Sequence, residues 1–401
     1  MTKQRQPVAE LANAGRRART RRCWDIFCSV VDNFGDIGFC WRLARRLTTG
    51  LGQDVRLWVD DLGSFKRLRP GVDVERAEQN IDGVEVCHWT SPFPVVRPAQ
   101  IVIEGFGVRL PDQYIEAMAA MRPAPVWINL EYLSAEAWVD EHHTLPSPHP
   151  RLPLTKYFFF PGFTAATGGV LIEDGLTAAR EAMQADAVAV QAFRRALGCD
   201  ADDDDDGRLW VSLFCYENAA LPALVSAWAD DVRGVHCVVP EGYALAQLEK
   251  ILARSVPVGT RVEHRHLTLH AVHFLDPDQY DRLLWSCDMN FVRGEESFVR
   301  AQLAARPLIW QAYPQEAATH LDKALAFRQR YSAALGEAEA QAYAALFDAW
   351  NRQYPACAAA WPRFAARLDS IRANAAAWSG RLLQNGDLAL NLDKFCEDRL
   401  E

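Results

Sequence analysis

The chain has 401 residues, 50% of them hydrophobic, which is enough apolar material for more than one core. Its formal net charge of −9 argues against a non-specific nucleic-acid binder, which needs a basic face to neutralise phosphates, and leaves a basic or neutral partner as the better fit. No apolar run approaches the about 20 residues needed to span a bilayer, and the amino-terminal stretch lacks the apolar block of a signal peptide, so a soluble, non-exported protein is expected.

Taken in order, the chain opens on the Arg-rich "GRRARTRR", which reads as the end of a disordered extension over residues 1–22. The run "WDIFCSVV" follows, then a loop with Asp32, Gly35 and Asp36, then the helical "CWRLARRLTT". Further apolar runs, "DVRLWVDD", "DGVEVCHW", "QIVIEGFG" and "PVWINLEYL", alternate with helical patterns and predict βα units around a parallel sheet. A stretch dense in Pro, Gly and Thr, "YFFFPGFTAATGGVLIEDG", marks the approach to a domain boundary, giving a first domain over 23–185. The pattern restarts after a helix, "AVAVQAFRRALG", and an acidic run. "RLWVSLFCYEN", "VHCVVPEG", "YDRLLWSCDMNFVRG" and "PLIWQAYPQ" then predict a second α/β domain over 186–375. The last hundred or so residues turn helical and Ala-rich, and a closing helix over 376–401 is placed to pack back on the first domain. Two α/β domains would then face each other across a cleft.

Three features raise metal or redox questions. The acidic run 202–206 offers carboxylates of the kind calcium takes, but consecutive side chains cannot all face one ion, so a solvated loop is expected. His264, His266, His270 and His273 raise a zinc site, yet no nearby cysteine or carboxylate completes a tetrahedral set, and metal-free strand and loop histidines are favoured. The ten cysteines contain no C-x-x-C pair and several sit inside apolar runs as small hydrophobes, which favours a reducing cytoplasm.

Chemistry concentrates in two places. Asp32 at the end of the first strand and Asp36 in the turn into the next helix sit where open α/β sheets bind ligands, and two carboxylates around a glycine suit a cation, above all a planar guanidinium. The competing reading is that Asp32 starts a turn and Asp36 caps a helix. In the second domain Arg293, Gly294, Glu295, Glu296 and Ser297 stand at the start of a helix whose N–H groups favour an anion. Arg293 and Ser297 would add donors to a phosphate, Glu295 and Glu296 would hold sugar hydroxyls, and Ser and Glu are equally ordinary first-turn residues. Phe214, Tyr216 and Phe274 face the same cleft as base-stacking candidates or as plain core and rim.

The stretches "WDIFCSVVDNFGDIGFCWRLARRL", "INLEYLSAE", "FFFPGFTAATGGVL", "SLFCYEN" and "RGEESFVRAQLAARPLIWQAYPQEAATHLDK" together resemble the EarP family, bacterial protein-arginine rhamnosyltransferases that modify translation elongation factor P. The resemblance runs from about Trp24 to the C-terminal helices. It implies a GT-B glycosyltransferase with two Rossmann-like domains, the acceptor mainly on the first and dTDP-β-L-rhamnose mainly on the second. It also implies no metal or other cofactor, and inversion at the anomeric carbon. The family's two loop aspartates fall on Asp32 and Asp36, and its catalytic glutamate on Glu295. Its nucleotide contacts fall on Phe214, Tyr216, Phe274, Arg293, Ser297 and Tyr313. Two departures stand out: Glu296 where the family has Asp after R-G-E, and Asp276-Pro277-Asp278 where it has Pro-Gln-Asp. On this reading Asp36 is the base for a guanidinium that must lose a proton, Asp32 clamps it, and Glu295 steadies the sugar. A GT-B enzyme for another acceptor, or a silent binder of elongation factor P or of a nucleotide sugar, are the alternatives.

Overall fold

The computed structural model describes residues 20–31, 34–199, 207–315 and 318–400. Asp32, the acidic run 202–206 and most of the Arg-rich start lie outside the described residues.

Runs of consecutive buried residues build both sheets, because parallel strands covered by helices on two faces have no wet side. The first sheet contains β1 (Cys23–Cys28), β2 (Asp54–Val59), β3 (Glu78–Ile81), β4 (Val84–His88), β5 (Ile101–Gly105), β6 (Val126–Leu130), β7 (Pro146–Pro148) and β8 (Thr155–Phe159), in the spatial order β3-β4-β2-β1-β5-β6-β8-β7. The short edge strands β3 and β7 run antiparallel to their neighbours, and the rest are parallel. Helices α1 (Gly35–Arg45), α2 (Leu62–Leu68), α3 (Asp112–Ala120) and α4 (Trp138–His142) lie between these strands in the chain. Mid-strand in β1, Asp25 is buried and satisfied: it accepts from Arg56 at 2.6 and 2.7 Å, from Trp58 Nε1 at 3.1 Å, from the Ala99 N–H at 2.9 Å and from the Tyr114 hydroxyl. An acid inside an apolar strand thus serves the fold, since a buried charge survives only when paired.

Two helices, α5 (Leu176–Ala185) and α6 (Ala187–Ala196), lead into the second sheet. Its strands are β9 (Leu209–Leu213), β10 (Val235–Pro240), β11 (Arg261–His264), β12 (Leu267–Val272), β13 (Met289–Arg293) and β14 (Leu308–Gln311), in the order β11-β12-β10-β9-β13-β14, parallel except for the edge strand β11. Around it pack α7 (Leu221–Asp230), α8 (Tyr243–Leu252), α9 (Pro277–Ser286) and α10 (Glu296–Leu303). The chain closes with α11 (Thr319–Ser332), α12 (Glu337–Asn351), α13 (Cys357–Ala365), α14 (Leu368–Gln384) and α15 (Leu388–Leu400). No helix among the described residues is long and apolar enough to cross a membrane.

Three boundaries differ from those drawn on the sequence. Met183 of α5 is buried in the second core together with Phe193 of α6, so the change of domain precedes residue 185. Trp378 and Leu382 keep α14 on the second core, and only α15 returns, burying Leu388, Ala389, Leu392 and Cys396 in the first. Arg22, assigned to the extension, is buried and pairs with Glu397 at 2.7 Å, while Arg21 pairs with Asp54; carboxylates of the folded domain bind the end of the basic stretch. The outgoing and returning crossings lie side by side. Val170 forms a parallel bridge with Asp387, and the Leu388 N–H donates to the Val170 carbonyl at 2.9 Å. A Cβ on Gly169, whose φ is +76°, would meet the Gly386 carbonyl oxygen at 2.5 Å, so the close approach requires glycine there.

Of the four histidines considered for zinc, only His270 on β12 points into the core; the others are exposed, and no group of three or more ligands forms among the described residues. His270 Nε2 lies 2.8 Å from His236 Nδ1, both rings stack on Trp210, and Arg194 lies 3.9 Å over that indole. Burial, helped by the charges of His236, Arg261 and Arg194, holds His270 down at about 3. An unfolded histidine titrates near 6.5, so as pH falls through 6.5 protons bind the unfolded chain first, and stability is lost from there toward pH 3. Denaturation series at stepped pH are expected to show a slope of up to about 1.4 kcal/mol per pH unit from this group, and His270→Gln should flatten it. An unchanged slope in that variant would assign the acid sensitivity elsewhere.

Candidate active site

Segments that follow β1, β6, β9, β10, β12, β13 and β14 converge on the cleft, the carboxyl-end position at which open α/β sheets bind ligands. They line two adjoining pockets of about 770 and 760 Å³, mouths included. Gly35, Gly294 and Glu295 border both.

In the larger pocket Arg293 ends β13, 7% exposed, with its guanidinium carbon 4.5 Å from the Phe214 ring and 4.3 Å from the Tyr216 ring. Its Nη1 is buried with no hydrogen-bond partner among the described residues. A buried cation held by two aromatic faces with a donor unspent is suited to an anion. Phe274 lines the same pocket but meets Phe34 of the first domain edge to face at 5.0 Å, with Arg67 over both rings. Ser297 borders it too, although its hydroxyl accepts from the Arg293 N–H at 3.2 Å and donates to the Arg293 carbonyl.

Glu296 lines this pocket as well, and its carboxylate joins a buried ion cluster between the domains. Its Oε1 lies 2.5 Å from Arg42 Nε of α1. Arg42 also meets Glu173 at 2.7 Å, Asp281 at 3.2 Å and the Pro277 carbonyl at 2.8 Å. Arg300 closes the ring with Glu173 at 2.6 Å and a two-pronged contact to Asp281 at 2.8 and 2.6 Å. Burial pushes Glu173 up, but Arg300 and Arg42 outweigh it and hold the carboxyl down at about 2. For Glu296 burial wins over the same two arginines, and its carboxyl ends above the usual range.

The smaller pocket holds Asp36 and Glu295. Asp36 is 2% exposed, in the first turn of α1, yet that turn has no side-chain cap. Its carboxylate instead accepts from the Val31 N–H at 2.9 Å and from the Tyr132 hydroxyl at 3.0 Å. These two bonds brace the carboxylate in the pocket. Tyr132 lies flat on Phe106 with ring centres 4.2 Å apart, and burial followed by the Asp36 charge raises its hydroxyl well above the usual tyrosine range. Glu295 precedes α10 and bonds Lys323 Nζ of α11 at 2.6 Å. Tyr313, 47% exposed, lines this pocket rather than the larger one and meets Tyr216 edge-on at 5.4 Å. Asp32 lies outside the described residues.

Sequence reasoning did not single out Tyr132, Lys323, Arg42, Glu173, Asp281 or Arg300. Tyr132 and Lys323 sit in the motifs "INLEYLSAE" and "RGEESF…HLDK", which carry the resemblance, and that was the one signal available for them.

Comparison with known proteins identifies the family. The family model described as elongation factor P (EF-P) rhamnosyltransferase EarP matches residues 24–397. A protein-arginine rhamnosyltransferase of Pseudomonas putida is 44% identical over 378 residues, spanning 94% of this chain and 99% of the relative. The enzyme of the same description from Pseudomonas aeruginosa is 43% identical over 378 residues, with the same coverage. A solved structure concerned with EarP-mediated arginine glycosylation of translation elongation factor EF-P superposes with a TM-score of 0.68 at 32% identity, over 94% of this chain and 99% of that one. With both domains and both pockets inside the matched region, the chain belongs to the EarP family of elongation factor P rhamnosyltransferases, glycosyltransferases of GT-B architecture.

Proposed function

We propose that this enzyme moves L-rhamnose from dTDP-β-L-rhamnose to an arginine side chain of translation elongation factor P, thereby activating it, with inversion and without metal. The observation that carries the reading is the adjacency of the two pockets: a braced carboxylate, Asp36, in one, and a buried cation with an unspent donor, Arg293, in the other, with Glu295 on the border. The nucleotide sits in the larger pocket against Phe214, Tyr216 and Phe274, its diphosphate toward Arg293, Gly294, Ser297 and the start of α10. A helix N-terminus and a guanidinium stabilise negative charge there.

A nitrogen of the acceptor guanidinium attacks the anomeric carbon from the face opposite the diphosphate. The new C–N bond forms as the C–O bond to the β-phosphate breaks, and that electron pair leaves with dTDP. The proton released from nitrogen passes to the Asp36 carboxylate, Asp32 clamps the guanidinium, and Glu295 steadies the sugar. Since the positive charge at the leaving group comes from the chain itself, dTDP is expected to bind with a chelator in excess, by calorimetry, as tightly as without it. Binding abolished by the chelator would overturn the metal-free reading. Intact-mass measurement of elongation factor P after incubation with enzyme and dTDP-rhamnose tests the reaction itself. A gain of one deoxyhexose, mapped to arginine, is expected; an unmodified acceptor, with sugar appearing elsewhere or nowhere, would refute it.

A further inference from the structure

We infer that Lys323 tunes the acceptor pocket by offsetting the charge of Glu295, so that the pocket holds the arginine without fixing it as a cation. This rests on the reading of the smaller pocket as the site of the guanidinium. The ammonium reaches in from α11, 22% exposed at the side chain, to bond Glu295 at 2.6 Å, and it lies 5.5 Å over the ring of Tyr132, whose hydroxyl braces Asp36. The titratable groups around it are Glu295 from the start of α10, Glu131 and Tyr132 after β6, Asp36 from α1 and His320 from its own helix.

An arginine has to bind here as a cation and react as it gives up a proton. Acidic neighbours favour the first state and oppose the second, since an opposite charge within a few ångströms stabilises the protonated form and a like charge disfavours it. Stabilising a ground state without its transition state tightens binding and slows the chemistry. With Asp36 needed as the proton acceptor, the added negative charge of Glu295 would favour the protonated guanidinium. Lys323 supplies the compensating charge, and its place is set by the Tyr132 ring and Glu295. Lys323 is a positioning residue on this account, acting through Glu295 and through the field of the pocket.

The test is steady-state kinetics of the full chain with the acceptor protein and dTDP-rhamnose for wild type, Lys323→Met and Lys323→Arg, alongside dTDP calorimetry and melting. Lys323→Met is expected to lower kcat about tenfold, the equivalent of one unit of guanidinium acidity, and to lower the acceptor KM as well. Lys323→Arg should restore most of both, and dTDP affinity should hold in all three. A Lys323→Met enzyme with unchanged kcat, or with a raised acceptor KM, would overturn the proposal, as would loss of dTDP binding together with melting temperature. If wild type modifies no arginine, the underlying reading fails visibly, before any variant is compared.

Discussion

Asp36→Asn is expected to slow single-turnover sugar transfer by about 10²–10⁴-fold while dTDP affinity and melting temperature stay near wild type. The substitution keeps the size of the side chain; its amide oxygen can keep the bond from the Val31 N–H, while its NH2 faces the Tyr132 oxygen and would donate to it, reversing that bond. What it removes is the carboxylate proposed to take the proton as the C–N bond forms. Asp36 is the acid of the first turn of α1, so loss of its charge should cost the helix no more than about 1 kcal/mol. Calorimetry with dTDP should not register the change, because Arg293, Phe214 and Tyr216, the groups proposed to face the nucleotide, belong to the second domain. Transfer at near the wild-type rate would remove Asp36 from the role of base. A parallel fall of activity and melting temperature would make its service structural.

The second large effect is expected at Arg42. Its guanidinium, 2% exposed, faces Glu296, Glu173 and Asp281, and with Arg300 it neutralises most of a cluster of three acids. Arg42→Met fills similar space but leaves buried carboxylates short of a partner, a type of loss that costs about 3–5 kcal/mol. Urea denaturation should show that loss. Adding Glu296→Gln should recover part of it, because the removed acid is the one burial already disfavours in its charged form. Activity should fall as well, since α1 carries Asp36 at one end and Arg42 toward the other, and the cluster ties that helix to the elements bearing Arg293 and Glu295. Stability of Arg42→Met within about 1 kcal/mol of wild type would show that apolar packing between α1 and α10, rather than charge, fixes the two domains.

The strands that build the cleft were legible because burial on both faces leaves runs such as "VWINL" and "VHCVVP" no polar alternation to obscure them. The edge strands β3, "EQNI", and β7, "PSP", carry no such mark and escaped notice. Asp36, Arg293 and Glu295 drew notice because each ends or follows a strand whose end is known from the pattern. Glu296 lines the pocket, but its contact with Arg42 joins residues 254 positions apart and no local spacing encodes it. The same holds for Glu173, lost in a Gly-rich linker, and for Asp281 and Arg300, which read as ordinary helix-surface charges. The boundary at 185 was set by composition, whereas the chain changes core where the glycines permit two backbones to touch, at Gly169 and Gly386.

The return of α15 to the first core has a consequence for how the protein is made. Leu388, Ala389, Leu392 and Cys396 complete a core whose other members begin at Trp24, so the domain translated first is the one finished last. Until α15 is released the first domain has an open apolar face, whereas the second can assemble everything but the end of α14. The nascent chain therefore carries its first domain unsealed until α15 arrives, and a premature stop that deletes α15 alone would damage the domain farthest from it in the sequence.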